Sequence, residues 1–398
     1  MNFIQKSILL YAAIFKVNGY DCSFSSTYPR QYIAYRNFNK DLVIDGRLDD
    51  DAWTEVSFTE NFVDISTSTI PHLKTNAKIR YDENFLYIGA RMEEPQVAAN
   101  ITWTCHCNNE TGDQVIFHDN DFEIFVDTDG STHFYKETEI NAANMNGTSA
   151  TWDLLLNKPY NDGGGENSSR TNGINGWDMF VPRDKGHCKT FTDGILNDPT
   201  SHPTFWSAEI ALPLSKLVEL TTSTLPIKSG QFWRINFSRV EWALKVINGK
   251  YQQYPSCQSC PIPGTNSEDN WVWSPQGAIA MHQPESWGFL QFSEDEVNTT
   301  KPAINTEWPL RFAAIVAYYA QHNFSSYNNG SYAQDPFQLL NYTQTPEALN
   351  GSCFSPPGFI LYNATTGGSK FNASFVDNVS NLLGTITDDR YLRIYPIQ

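Results

Sequence analysis

Between Leu42 and Phe292 apolar residues occur in short runs that alternate with polar ones and are broken by Gly, Asn, Asp and Pro. A period of two between turn-forming residues is the pattern of antiparallel strands in a sandwich or barrel. Ala77–Tyr81, the turn at Asp82-Glu-Asn84, and Phe85–Met92 predict a hairpin. In Asp121–Asp127, Phe122, Ile124 and Val126 project one way and Asp121, Glu123, Phe125 and Asp127 the other. One face is therefore expected to be core and the opposite face to carry carboxylates. Further strands are expected at Phe205–Leu212, Phe232–Trp242 and Trp287–Phe292, interrupted by long loops at 157–175 and 248–270. Such insertions sometimes form the rim of a binding site. Gly163–Gly165 is not a phosphate loop, because neither a Lys-Ser/Thr pair nor a following helix accompanies it.

After Pro302 the spacing changes. Leu310, Ala313, Ala314, Ala317 and Tyr318 recur at helical intervals, which predicts a helix over Trp308–Ser326 with Pro309 in its first turn and Asn328-Asn-Gly330 as its stop. Short strands are expected at 359–364, 371–376, 384–387 and 391–395. The fold expected is mainly β: an antiparallel, jelly-roll-like β-sandwich over 41–296, followed by a smaller α+β domain over 300–398.

The N-terminus adds a leader. Lys6, the apolar stretch Ser7–Phe15 and Val17-Asn-Gly19 read as a secretory signal over 1–19, with 20–40 as an N-terminal extension. No other segment is long and apolar enough to span a bilayer, and the C-terminal residues lack the apolar tail of a lipid-anchor signal. A secreted, extracellular protein is the expectation. Acceptor tripeptides for N-glycosylation at Asn100, Asn109, Asn146, Asn167, Asn298, Asn323, Asn329, Asn341, Asn350, Asn363, Asn372 and Asn378 fit that route, whereas Asn236 lies inside an expected strand. There are seven cysteines, so an oxidising compartment leaves at least one free or paired between molecules. Cys257 and Cys260, in a Pro- and Ser-rich loop, read as disulfide cysteines in preference to a zinc or redox pair. A net charge of -17 argues against nucleic acid as a partner, because such affinity comes from basic side chains that release counterions.

The β-rich part resembles carbohydrate-binding module family 9. The stretches that carry this are Ile44-Asp-Gly-Arg-Leu-Asp-Asp-Asp-Ala-Trp53, Ala77–Met92 with Glu93-Glu-Pro95, Phe117–Asp127, Glu139-Ile-Asn141, Trp152-Asp-Leu154, Asn236–Trp242, Asn270–Pro275 and Met281–Gly288. They occur in the family's order. The resemblance implies a β-sandwich that binds polysaccharides or the ends of sugar chains, with structural calcium, and it does not extend past Thr300.

Sugar recognition needs flat apolar surfaces for pyranose C–H faces and planar polar groups for hydroxyls. Trp271 and Trp273, two residues apart in an apparent loop, are candidate stacking rings, or they cap the sandwich. Phe117, six residues before Glu123, could be a second ring beside a hydrogen-bonding carboxylate; a Phe there departs from the Trp clamp of sugar-binding members. Arg239 and Glu241 project together, either as an ion pair or as a fork for hydroxyls. Asp127-Thr-Asp-Gly130 offers Asp127 and Asp129 as calcium ligands, or a hairpin turn without metal. The reading reached is a secreted, noncatalytic carbohydrate-binding protein. The alternatives are a glycoside hydrolase using Glu123 with a second acid such as Asp121, and an adhesion module that binds protein.

Overall fold

The computed structural model describes residues 16–17, 20–38, 40–101, 116–145, 148–163, 187–254, 268–349, 353–354, 359–362, 370–377 and 379–397. The molecule is mainly β, as the alternation predicts. The strands of the body are β1 (Gln31–Arg36), β2 (Thr75–Tyr81), β3 (Phe85–Glu93), β4 (Asp121–Asp127), β5 (Tyr135–Met145), β6 (Thr148–Leu156), β7 (Cys188–Thr192), β8 (Phe205–Pro213), β9 (Phe232–Trp242), β10 (Glu268–Val272) and β11 (Gly288–Ser293). They pair in the order β7-β8-β3-β2-β1-β11-β9-β4-β5-β6. Strand β9 is the fork that makes two layers: Phe232–Ile235 pair with β11, Ser238–Trp242 pair with β10, and the opposite edge pairs with β4. All pairs are antiparallel except β11 with β1 and β1 with β2. Strand β1 lies in the stretch read as an extension, and it joins the two halves of the body.

The inner layer is filled by Ile79, Ile88, Met92, Phe122, Ile124, Ile140, Ile235 and Phe237, with Phe62, Phe122 and Phe237 stacked on one another. The stretch Ile44–Trp53 is a structural clasp. The Glu209 carboxylate accepts the amides of Asp45 and Gly46 and, at 2.6 Å, the Trp53 indole N–H. Gly46 has φ +92°, and a Cβ there would sit 2.6 Å from the Thr190 backbone, so only glycine fits.

The smaller unit is built on α1 (Trp308–Tyr327) and a four-stranded antiparallel sheet of β12 (Phe359–Tyr362), β13 (Asn372–Asp377), β14 (Leu382–Thr387) and β15 (Leu392–Pro396). It has its own core, which also takes in Phe24 and Phe289 from the body. A disulfide joins Cys22 to Cys353. The cysteines read as a pair, Cys257 and Cys260, lie outside the described residues.

Strand β4 has a core face and a face that carries carboxylates, as its alternation predicts, and both faces are covered. Every residue of that strand is buried, carboxylates included. Phe125, on the outer face, meets His282 and Trp287. Asn236, on the same face of β9, donates to the Ser274 carbonyl and accepts from its amide, which leaves it no room for a glycan. At the foot of the face Arg311 of α1 donates to the carbonyls of Gly130 and Asp129.

Candidate functional site

The side chains singled out in the sequence fall on opposite faces of β9. Ser238 is paired with Glu123, so Glu123 shares the outer face with Ser238, Val240 and Trp242, whereas Arg239, Glu241 and the paired Trp271 share the inner one.

On the inner face, Arg239 is fully engaged. Nε and Nη2 donate to Glu241 at 3.1 and 2.7 Å, Nη2 also to Glu94 at 2.9 Å, and Nη1 to the Thr75 hydroxyl and the Glu93 carbonyl. Asn120 donates to Glu241 at 2.9 Å. The Arg239 guanidinium lies 5.1 Å from the Trp271 ring centre. The guanidinium makes five hydrogen bonds to four acceptor atoms, so no donor remains for a sugar hydroxyl, and of the two readings of Arg239 and Glu241 the ion pair is the one formed. Trp271 belongs to β10, not to a loop, and is 3% exposed. Trp273 is 0% exposed, donates through its indole to Glu60 at 2.9 Å, and packs so closely that a Cβ on Gly288 would lie 2.3 Å from its ring. Both rings are core, and a sugar cannot stack on either as they stand.

The turn after β4 likewise uses its own oxygens. Asp127 accepts the amides of Gly130 and Thr132, and Asp129 those of Ser131 and Thr222 together with the Thr222 hydroxyl. Arg311 donates to the adjoining carbonyls, and these bonds are those of a hairpin turn.

The outer face carries a different constellation. Carboxylate oxygens of Asp121, Glu123 and Glu139 lie within 4.8 Å of one another. Glu123 and Glu139 are directly opposite across β4 and β5. Glu139 accepts the Phe117 amide at 3.1 Å, Asp121 accepts the Val240 amide at 3.3 Å, and the second Asp121 oxygen is buried without a partner. Burial pushes all three carboxyls up, helped at Asp121 and Glu139 by the neighbouring acids, and Glu123 is raised to about 7. Near neutral pH the cluster therefore retains protons and presents both donors and acceptors. At its edge, Phe117 in the short helical turn 116–118 accepts the Trp242 indole N–H on its carbonyl at 2.8 Å. Phe117 and Trp242 are each half-buried, and Asn270 and Glu268 pair with Val240 and Trp242 on the same side.

Phe117 is tied through its amide to Glu139, which lies opposite Glu123, while Trp271, Trp273, Arg239 and Glu241 are not part of the grouping. The sequence reading missed Trp242. Its phase was visible, since it is two residues beyond Val240 on an alternating strand, but only the pairing of β9 with β4 sets it beside the acids.

Residues 44–173 match the family model described as carbohydrate family 9 binding domain-like. Among solved structures, a candidate carbohydrate-binding protein of Bacteroides uniformis is 15% identical, with 67% of this chain and 100% of that chain covered and a TM-score of 0.42. A family 9 carbohydrate-binding module of Caldicellulosiruptor kristjanssonii in complex with cellotriose is 15% identical over 69% of this chain and 100% of that one, with a TM-score of 0.35. The same module in complex with glucose gives 14%, 69%, 100% and 0.34. No curated protein matches the chain.

Proposed function

We propose that this chain is a secreted, noncatalytic carbohydrate-binding protein whose ligand lies against Phe117 and Trp242 and reaches the carboxyl of Glu123. The observation that carries the reading is the family match over 44–173, which contains Phe117, Glu123 and Glu139. The residue assignment rests on chemistry. Half-buried rings supply the apolar faces that pyranose C–H groups need, and a carboxyl near its titration point can donate to one hydroxyl and accept from another. Glu123 is 6% exposed and Asp121 and Glu139 are closed to solvent, so Glu123 is the member of the cluster a ligand reaches. Secretion is supported by the N-terminal apolar stretch and by the exposure of the acceptor asparagines Asn100, Asn298, Asn323, Asn329 and Asn341.

The test is affinity electrophoresis of the full chain through gels containing soluble polysaccharides, followed by calorimetry with oligosaccharides of the retarding polymer. Trp242→Ala and Phe117→Ala should each weaken binding by roughly tenfold to a hundredfold, at about 1–3 kcal/mol per stacking ring, without changing the unfolding midpoint by more than a few degrees. Retardation unchanged in both variants overturns the site. Release of reducing sugar that disappears in Glu123→Gln would make the protein a glycoside hydrolase. No retardation and no release would leave the protein-adhesion reading.

A further inference from the structure

Between the β-body and α1 lies a cavity of about 370 Å³, lined in part by Tyr28, Trp308, Phe312 and Tyr319 and by three guanidinium groups, those of Arg30, Arg234 and Arg311. None of these residues belongs to the Phe117–Glu123 grouping. Arg311 is paired with Glu307 and with backbone carbonyls, and Arg30 donates to the carbonyls of Asn61 and Trp273. Glu285, the carboxylate in the lining, is already bound by Arg390 at 2.9 Å and by the Tyr319 hydroxyl. Arg234 differs. It is 4% exposed, its Nη2 donates to the Glu285 carbonyl, and its Nη1 is buried without a hydrogen-bond partner. It makes no ion pair among the described residues, and its charge rests over the Phe289 ring at 4.2 Å.

A buried cation without a counterion is strongly unfavourable, because desolvation is not offset by attraction. Burial, with Arg311 adding to it, lowers Arg234 to about 9 and outweighs the upward pull of Asp127 and Glu285, neither of which forms an ion pair with it. A guanidinium with free N–H groups matches the two oxygens of a carboxylate. The volume is near the lower end of the roughly 300–1,000 Å³ of ligand pockets, enough for one ring, and the aromatic walls suit a ring's faces.

We propose that this cavity binds a small organic anion, a carboxylate on a body about the size of one sugar ring, with the Arg234 guanidinium as its charged anchor. The proposal is independent of the glycan site. A free acid and an acidic sugar that ends a glycan chain share this chemistry. The probes are sodium glucuronate, a trisaccharide ending in glucuronate, glucose, and sodium sulfate, each titrated calorimetrically into the full chain. Glucuronate should bind, and glucose and sulfate should bind at least about tenfold more weakly. Arg234→Gln should lower glucuronate affinity at least about tenfold, the measure of a lost charged hydrogen bond. Ile315→Trp, at a half-buried lining position on α1, should abolish binding while leaving Arg234 in place, which covers the case in which Arg234→Gln does not fold. Binding of the trisaccharide as well supports a chain end, and its exclusion supports a free acid. No heat with glucuronate, equal affinity for glucose or sulfate, or full affinity in both variants would overturn the proposal.

Discussion

Glu123→Gln is expected to stabilise this protein at pH 8 and to do little at pH 4. The Glu123 carboxyl is buried within 4.8 Å of two other acids, and burial carries it from an ordinary 4.5 to about 7. A folded-state value above the unfolded one means that the fold holds this proton more tightly than the open chain does. The resulting stability is complete below about pH 4.5, declines as the pH rises, and is gone above about 7. At about 1.4 kcal/mol per pH unit, the interval from 4.5 to 7 amounts to about 3 kcal/mol. That is an upper bound, because Asp121 and Glu139 are raised too and the three share protons. Glutamine keeps the shape and titrates nothing. Urea unfolding at pH 5, 6, 7 and 8 should show wild-type stability declining from this source and the variant declining less, so that the variant is the more stable at pH 8. Equal destabilisation of Glu123→Gln at pH 5 and pH 8 would refute the reasoning, since the charge would then be matched in the fold by a group or bound cation.

Trp273→Ala should cost about 3–5 kcal/mol in urea unfolding, the range for removing a large buried ring, because its indole is enclosed and tied to Glu60. His282, bonded to the Tyr135 hydroxyl and held down to about 3 by burial, contributes stability that is present above about pH 6.5 and lost as the pH falls toward 3; His282→Phe should flatten that acid limb in the same titration. The Cys22–Cys353 disulfide closes a loop with a sequence separation of 331 residues. Cys353→Ser should therefore lower stability by up to about 5 kcal/mol on the chain-entropy account, and an unchanged unfolding midpoint would count against it.

Features written in local spacing were legible. The hairpin of β2 and β3, the length of β9 and the span of α1 follow from runs that carry their own period and stop signals. What spacing could not convey was partnership. Glu123 and Arg239 look equivalent in the sequence, each a charged residue on an alternating strand, yet the register Ser238–Glu123 puts them on opposite faces, and a slip of one residue would have reversed that. Alternation along β4 reports only that its two faces differ. It does not report that residues 274–287 of the body lie over the acidic one, or that Arg311 of α1 meets the turn at its foot. Trp271 and Trp273 were read as loop residues because Pro and Asn flank them, while the pairing that makes Trp271 part of β10 belongs to Arg239, which is remote in sequence.

The smaller unit is held by directed charge contacts as well as apolar area, and this links docking to the cavity at Arg234. Arg390 of the small unit is buried and paired with Glu285 at 2.9 Å and Asp162 at 3.0 Å of the body, with Tyr318 beneath its guanidinium at 4.8 Å. Arg390→Met removes one side of both pairs and leaves two buried carboxylates unmatched, which should lower stability by about 3–5 kcal/mol. Arg390 is not in the lining of the cavity, but Glu285, Tyr319 and Leu392 are. If the charge contacts set how α1 sits against the body, Arg390→Met should weaken glucuronate binding as well, even at a temperature where the variant remains folded. Near-wild-type glucuronate affinity beside a large stability loss would separate the two, and would mean that the walls at Arg234 are positioned by the apolar packing of Phe24, Phe289 and Trp308 alone.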